Sequence, residues 1–151
     1  MIMLAPKNIL VPTDFSKFAD AALKKAVEIA TPSETKIYLL HVIDEQIQQC
    51  AVDYCLSQEL VKQLEKDSLK ASRDKLQKEA NAIIKTKKVN VIFDVKRGVP
   101  FEVILSEQEA RQIDLIVIAS HGRTGILGQL MGSVADKVIK GSKCPVMVVK
   151  P

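Results

Sequence analysis

The segment from Ala119 to Ser133 has residue types that suit a phosphate group. It follows an apolar run, contains four glycines within 11 residues and leads into a predicted helix. Glycines let backbone N–H groups approach an anion without a Cβ atom in the way, and a helix N-terminus adds its own N–H groups and dipole. The segment is neither a Walker A loop nor a GxGxxG loop. It predicts phosphate binding, and the alternative is a surface loop in which Ser133 only caps its helix.

A second group of polar residues, Pro12, Thr13 and Asp14, follows the first apolar run of the chain. A carboxylate at the end of a strand can accept hydrogen bonds from a ribose hydroxyl or an exocyclic amine. We therefore predict that Asp14 faces a ligand. The alternative is that Asp14 or Ser16 caps the helix that follows.

Phosphoryl transfer would require charge neutralisation and an oriented nucleophile. Arg123 and a Mg²⁺ ion on the phosphates could supply the first requirement. The glycine-rich segment contains no Asp or Glu, so His121 is its only candidate base. A histidine at the end of a strand more often makes a structural hydrogen bond, and we assign no catalytic residue.

The elements that must position these residues are strands and helices, whose sequence patterns alternate along the chain. Short apolar runs predict strands at 8–11, 37–42, 89–95, 115–119 and 146–149. Helical spacing predicts helices after Ser16 up to residue 30, from about 56 to 83, from Pro100 to 110, and from 133 to 140. The segment from 44 to 55 has no clear period and is predicted to be a loop.

This alternation predicts a Rossmann-like α/β fold with a five-stranded parallel sheet, strand order 3-2-1-4-5, and helices on both faces. The length of 151 residues fits one domain, residues 1–151. In that order strands one and four are neighbours where the winding reverses, and the crevice at their carboxyl ends is the expected ligand site. Both polar segments border it.

Composition excludes several other classes of protein. Hydrophobic residues make up 47% and charged residues 26%, which is typical of a folded domain. The net charge is +4, and much of the excess positive charge lies in residues 60–88, which contain nine Lys or Arg and four acidic residues. With no Trp and two Tyr to stack on bases, we expect a solvated helix face and no nucleic-acid partner.

We also expect a cytoplasmic protein with no membrane partner, because no apolar run approaches the length of about 18 residues that a membrane span needs. The three cysteines, Cys50, Cys55 and Cys144, match no zinc, redox or disulfide spacing. They are predicted to be reduced thiols.

Five blocks in order make the sequence resemble the universal stress protein family over nearly its whole length. They are NILVPTDFS at 8–16, LHVID at 40–44, GVP at 98–100, DLIV at 114–117, and SHGRTG at 120–125 continuing through GSV at 132–134 to CPVMVV at 144–149. The resemblance implies a five-stranded parallel α/β fold and a homodimer formed through the last strand. An apolar strand at a sheet edge also tends to pair with another chain, so we expect the dimer to form through Val146 to Val149.

The family's ATP-binding branch carries a glycine, two residues, a glycine, nine residues, and then glycine with Ser or Thr. Gly122, Gly132 and Ser133 match this pattern, whereas Ala119 departs from its first glycine. The resemblance implies that Thr13, Asp14 and Val42 surround the adenosine and that Gly122, Gly132 and Ser133 hold the phosphates. The full predicted set of ATP-binding residues is Pro12, Thr13, Asp14, Val42, Ala119, His121, Gly122, Arg123, Gly132, Ser133 and Val134.

The resemblance therefore predicts an ATP-binding regulatory protein of the stress response with little or no fast turnover, and Mg²⁺ bound through the phosphates. Two alternatives stay open at this point. One is a slow ATPase or autophosphorylating protein that uses Ser133 or His121. The other is a dimeric interaction module without nucleotide, to which the alanine at position 119 would point.

Overall fold

The computed structural model describes residues 5–45, 56–122 and 130–151. Strands and helices alternate through this part of the chain, as predicted. The strands are β1 (Asn8–Pro12), β2 (Lys36–Asp44), β3 (Asn90–Gly98), β4 (Leu115–Ala119) and β5 (Val146–Val149). The helices are α1 (Lys17–Ala30), α2 (Gln58–Thr86), α3 (Pro100–Ala110) and α4 (Ser133–Gly141). Strands β2 and β3 both run past their predicted carboxyl ends.

All five strands are parallel and lie in the order β3-β2-β1-β4-β5. Ile9 of β1 lies opposite Ile37 of β2 on one side and Leu115 of β4 on the other. The predicted strand order is therefore confirmed. The winding reverses between β1 and β4, whose carboxyl ends reach Pro12 and Ala119 at the same edge of the sheet.

Alternate side chains along the strands form two apolar layers, one on each face of the sheet. The α1/α2 layer contains Ala22 and Ala26 of α1 together with Leu76 and Ala80 of α2. The α3/α4 layer contains Ile104 of α3 with Ala135 and Val138 of α4. Helices thus cover both faces, and this arrangement confirms the predicted α/β class.

Local sequence signals explain where the shorter helices begin. The Ser16 hydroxyl accepts a hydrogen bond from the N–H of Ala19 at 3.2 Å and so caps α1. Pro100 is the first residue of α3, a position at which its missing N–H costs no hydrogen bond. The predicted apolar stripe of α1 is buried at Ala19, Ala22, Leu23, Ala26, Val27 and Ala30.

The apolar stripe predicted for α2 is buried over only part of the helix. Leu76 and Ala80 are fully buried, whereas Leu60 and Leu64 keep 45% and 49% of their surface exposed. A helix of 29 residues is about 44 Å long. The nine-residue strand β3 on which it packs is only about 30 Å long. The first turns of α2 therefore have no sheet beneath them.

Within the residues that the structure describes, no helix is long and apolar enough to cross a membrane. Cys144 is a free thiol, while Cys50 and Cys55 lie outside the described residues. The same holds for nearly all of the segment from 44 to 55, which was predicted to be a loop.

Candidate functional site

A crevice of about 280 Å³ lies where β1 and β4 end. Its apolar side is formed by Leu40, Val42, Pro100, Ile104 and Ile118. Its polar side includes Thr13, Asp14, Ser120, His121 and Ser133. An apolar cleft with a few converging polar groups is the usual form of a small-molecule site.

The crevice brings together ten of the eleven residues that the sequence predicts to bind ligand. These ten are Pro12, Thr13, Asp14, Val42, Ala119, His121, Gly122, Gly132, Ser133 and Val134. The eleventh, Arg123, lies outside the described residues. The predicted location is thus one continuous site, and the binding role of each residue stays a prediction.

Three hydrogen bonds shape the turn from Thr13 to Ser16 on one side of the crevice. The Thr13 N–H donates to the carbonyl of Leu40 at 2.8 Å, and its hydroxyl accepts from the N–H of Phe15 at 3.1 Å. The Asp14 carboxylate accepts from the N–H of Ser16 at 3.0 Å. Ser16 caps α1 through its hydroxyl. Asp14 stabilises the turn before the helix and borders the crevice.

Gly122 lies directly against the Asp14 carboxylate. A Cβ atom added at position 122 would be 2.7 Å from Asp14 Oδ2, far closer than real Cβ contacts. Any side chain there must displace Asp14 or shift the backbone. The glycine therefore allows the two crevice loops to approach each other closely, in addition to any role toward a ligand.

Gly132 lies on the other side of the crevice, directly before α4. Its N–H donates to the carbonyl of Ser120 at 2.7 Å, and a Cβ atom at this position would be 3.2 Å from that same oxygen. The N-cap of α4 is Gly132, so the alternative that Ser133 caps the helix is wrong. No side chain of the described residues caps α4, and the N–H groups of its first turn border the crevice with the positive end of the helix dipole.

The alanine at position 119 points into the protein core. Val117 and Ala119 of β4 belong to the α1/α2 layer, whereas Ile116 and Ile118 belong to the α3/α4 layer. The apolar side of the crevice is built from this second layer, through Ile104 and Ile118. The methyl group of Ala119 therefore packs in the α1/α2 layer, while Ala119 also lines the crevice at the carboxyl end of β4.

Both histidines are hydrogen-bonded within the protein. His121 Nδ1 lies 2.8 Å from the hydroxyl of Ser120, and its ring centroid lies 5.9 Å from that of Phe18. His41 Nδ1 lies 2.8 Å from the carbonyl of Thr13, and because a carbonyl can only accept, Nδ1 carries the proton. These contacts fit a structural role for both rings.

The eleven predicted binding residues do not include Ser120 and Ile104, although Ser120 lies in the predicted phosphate-binding segment. Ser120 directly follows β4 and is buried in the crevice wall, where its carbonyl holds Gly132. Its place after the last residue of β4 was the available signal. Ile104 comes from α3, and only the packing of that helix against the sheet brings it to the crevice.

Comparison with known proteins places this architecture among described relatives. The model of the universal stress protein family matches residues 6–150. Universal stress protein MJ0577 of Methanocaldococcus jannaschii is 36% identical, over 95% of this chain and 94% of its own length. The solved structure of MJ0577 superimposes with a TM-score of 0.85 at 32% identity, covering 98% of both chains.

A more distant likeness shows the fold alone. A universal stress protein family protein from Arabidopsis thaliana, solved with AMP bound, has a TM-score of 0.65 at 22% identity. The match covers 96% of this chain and 92% of the Arabidopsis chain.

Proposed function

Because this chain belongs to the universal stress protein family, we propose that its crevice binds an adenine nucleotide, ATP in the first place. One observation carries the proposal: the Thr13–Ser16 turn and the start of α4 face each other across an apolar cleft. A nucleotide site needs an apolar surface for the base, a hydrogen-bond acceptor for the sugar and a cluster of N–H groups for the phosphates. The cleft, the turn and the start of α4 offer these in that order.

Each part of the nucleotide has a matching part of the crevice. The adenine ring would lie on the apolar side near Val42 and Ile104, and the Asp14 carboxylate would accept from a ribose hydroxyl. The phosphates would lie at Gly132, Ser133 and the first turn of α4, where N–H groups and the helix dipole favour negative charge. Mg²⁺ would bind together with the nucleotide, through its phosphates, and keep several of its water ligands, as it does in many nucleotide sites.

The biological role that we propose is regulatory, with nucleotide occupancy as the signal and little turnover. His121 already hydrogen-bonds Ser120, and this contact supports a structural role for the imidazole rather than the role of a general base. AMP in the Arabidopsis relative makes adenine nucleotides the ligands to test first. A homodimer through β5, a location in the cytoplasm and the lack of a nucleic-acid partner belong to the same proposal.

Isothermal titration of nucleotide-stripped protein with Mg-ATP tests the proposal. We expect micromolar binding that is lost in Gly122→Val, because the new side chain collides with Asp14. Asn90→Val is the matched control, since Asn90 is exposed at the opposite end of the sheet. Circular dichroism and thermal melting establish that both variants fold. Failure of the unaltered protein to bind ATP, ADP or AMP would overturn the proposal.

A further inference from the structure

Phe15 has a backbone conformation that a bulky side chain rarely adopts. Its φ angle is 64°, in the left-handed region, and it stands between the ligand-facing residue Asp14 and the helix cap Ser16. Such a conformation persists only when surrounding contacts hold it. The contacts of the Phe15 ring therefore add to the hydrogen bonds that keep the turn in the shape that orients Asp14.

The Phe15 ring packs against the α1/α2 layer and also contacts two polar side chains. The imidazole of His41 lies with its centroid 4.4 Å from that of Phe15, and the same imidazole binds the Thr13 carbonyl through Nδ1. The ammonium of Lys75, on α2, lies 4.3 Å from the Phe15 ring centroid. A cation at this distance over an aromatic face is attracted by the electron density of the ring. Lys75 thus connects the long helix to the crevice turn.

We propose that Lys75 is a positioning residue for the nucleotide site: its ammonium holds Phe15, and Phe15 holds the Asp14 turn in the conformation that binds. This inference rests on the proposed function. The apparent affinity for a ligand is proportional to the fraction of protein that is in the binding-competent conformation. Loss of the lysine charge lowers that fraction and raises the Kd, although Lys75 does not touch the crevice.

The charge of Lys75 also acts on a neighbouring carboxylate. Burial, together with the charge of Asp20, raises the pKa of Glu79, and Lys75 opposes that rise. A substitution of Lys75 therefore has two routes of action, one through the Phe15 ring and one through Glu79. Only the first route disappears when the ring is removed, so a Phe15→Leu background separates them.

The experiment compares Lys75→Gln, Lys75→Arg and the control Lys78→Gln, each in the unaltered and the Phe15→Leu background. Lys78 is an exposed lysine on the same helix. Hydrogen exchange of amides 13–16 in nucleotide-free protein reports the turn, and titration with Mg-ATP reports the site. An exposed cation–π contact predicts that Lys75→Gln speeds exchange by about two- to five-fold and raises the Kd measurably, by no more than the same factor. Lys75→Arg should restore both values, because arginine keeps the contact.

Three results would overturn the inference. In the first, Lys75→Gln behaves like Lys78→Gln in exchange. In the second, its effect is just as large in the Phe15→Leu background. In the third, exchange responds while the Kd of a nucleotide-binding protein does not. Because exchange is measured without nucleotide, absence of ATP binding in every variant would instead count against the proposed function.

Discussion

At position 119 this chain has alanine where the family's ATP-binding pattern has glycine. A methyl group at a ligand-facing backbone would be an obstacle, and for that reason the sequence left a nucleotide-free alternative open. In the structure Ala119 lines the crevice, and its side chain packs in the α1/α2 layer. A methyl group packed in this layer contributes to stability, and we expect it to leave the space of a ligand largely open.

Ala119→Gly should therefore change stability and leave nucleotide affinity nearly constant. We expect the free energy of unfolding to fall by about 1–2 kcal/mol, from lost burial of one methyl group and the greater backbone freedom of glycine. The Kd for Mg-ATP should change by less than about two-fold, a difference worth under about 0.4 kcal/mol. Urea unfolding and titration measure the two quantities. A tenfold gain in affinity would show that the alanine obstructs the site after all.

Phe15, His41 and Ser120 show why a site is harder to predict than the elements that carry it. The locations of Asp14 and Gly122 followed from the ends of β1 and β4, which the apolar pattern marks. The left-handed backbone of Phe15 and the contact of His41 with Thr13 depend on the neighbouring strand and on α2, far away in sequence. No local propensity indicates such contacts, because they exist only once the sheet has formed.

At the scale of whole elements, charge holds α3 to β3. The buried Glu107 carboxylate of α3 forms ion pairs with Lys96 of β3 and with Arg111, both at 2.6 Å. Arg111 also reaches Asp94 of β3 at 2.9 Å and lies over the ring of Tyr38. Burial alone would raise the pKa of Glu107, but hydrogen bonds from Arg111 and Lys96 outweigh it and lower the pKa below its usual value.

Glu107→Gln should destabilise the protein in a way that depends on pH. A carboxylate whose pKa is lowered on folding stabilises the folded state above its unfolded pKa of about 4.3, and this contribution is lost as pH falls through the folded value. We expect a loss of about 2 kcal/mol at pH 7, the typical worth of a hydrogen bond to a charged group. The difference from the unaltered protein should shrink towards pH 3.

Urea unfolding between pH 3 and pH 7 measures this dependence. Glu109→Gln is the matched control, because Glu109 pairs with Lys143 on the surface and exposed pairs contribute little. A difference between Glu107→Gln and the unaltered protein that stays constant with pH would contradict the assignment to the ionised carboxylate.

The long helix α2 marks the limit of pattern-based prediction for elements. The order and type of the elements were predictable because apolar runs of strand length alternate with helical stripes and because Ser16 and Pro100 mark helix starts. The stripe of α2, however, predicted one continuous buried face, and Leu60 and Leu64 are half exposed. Periodicity indicates which residues share a face, but it carries no information on how far the underlying sheet extends.

At the scale of the whole molecule, the two edges of the sheet differ in character. The edge strand β5 reads Val-Met-Val-Val, with Met147 38% exposed. The opposite edge strand, β3, carries Asp94, Lys96 and Arg97, which make ion pairs with neighbouring helices. Charged side chains on an edge discourage pairing with a second chain, whereas a short apolar edge favours it. The chemistry of the two edges therefore favours association through β5.

From this asymmetry we predict that the protein forms a homodimer through β5 and that one charged side chain introduced on β5 dissociates it. Met147→Lys places an ammonium on the apolar edge, and we expect a protein that sediments as a dimer at micromolar concentration to become a monomer with its fold retained. Ile92→Lys is the matched control, because Ile92 is 37% exposed on β3 at the other edge. That variant should remain a dimer. A monomer in the unaltered protein, or equal dissociation of both variants, would show that β5 is not the interface.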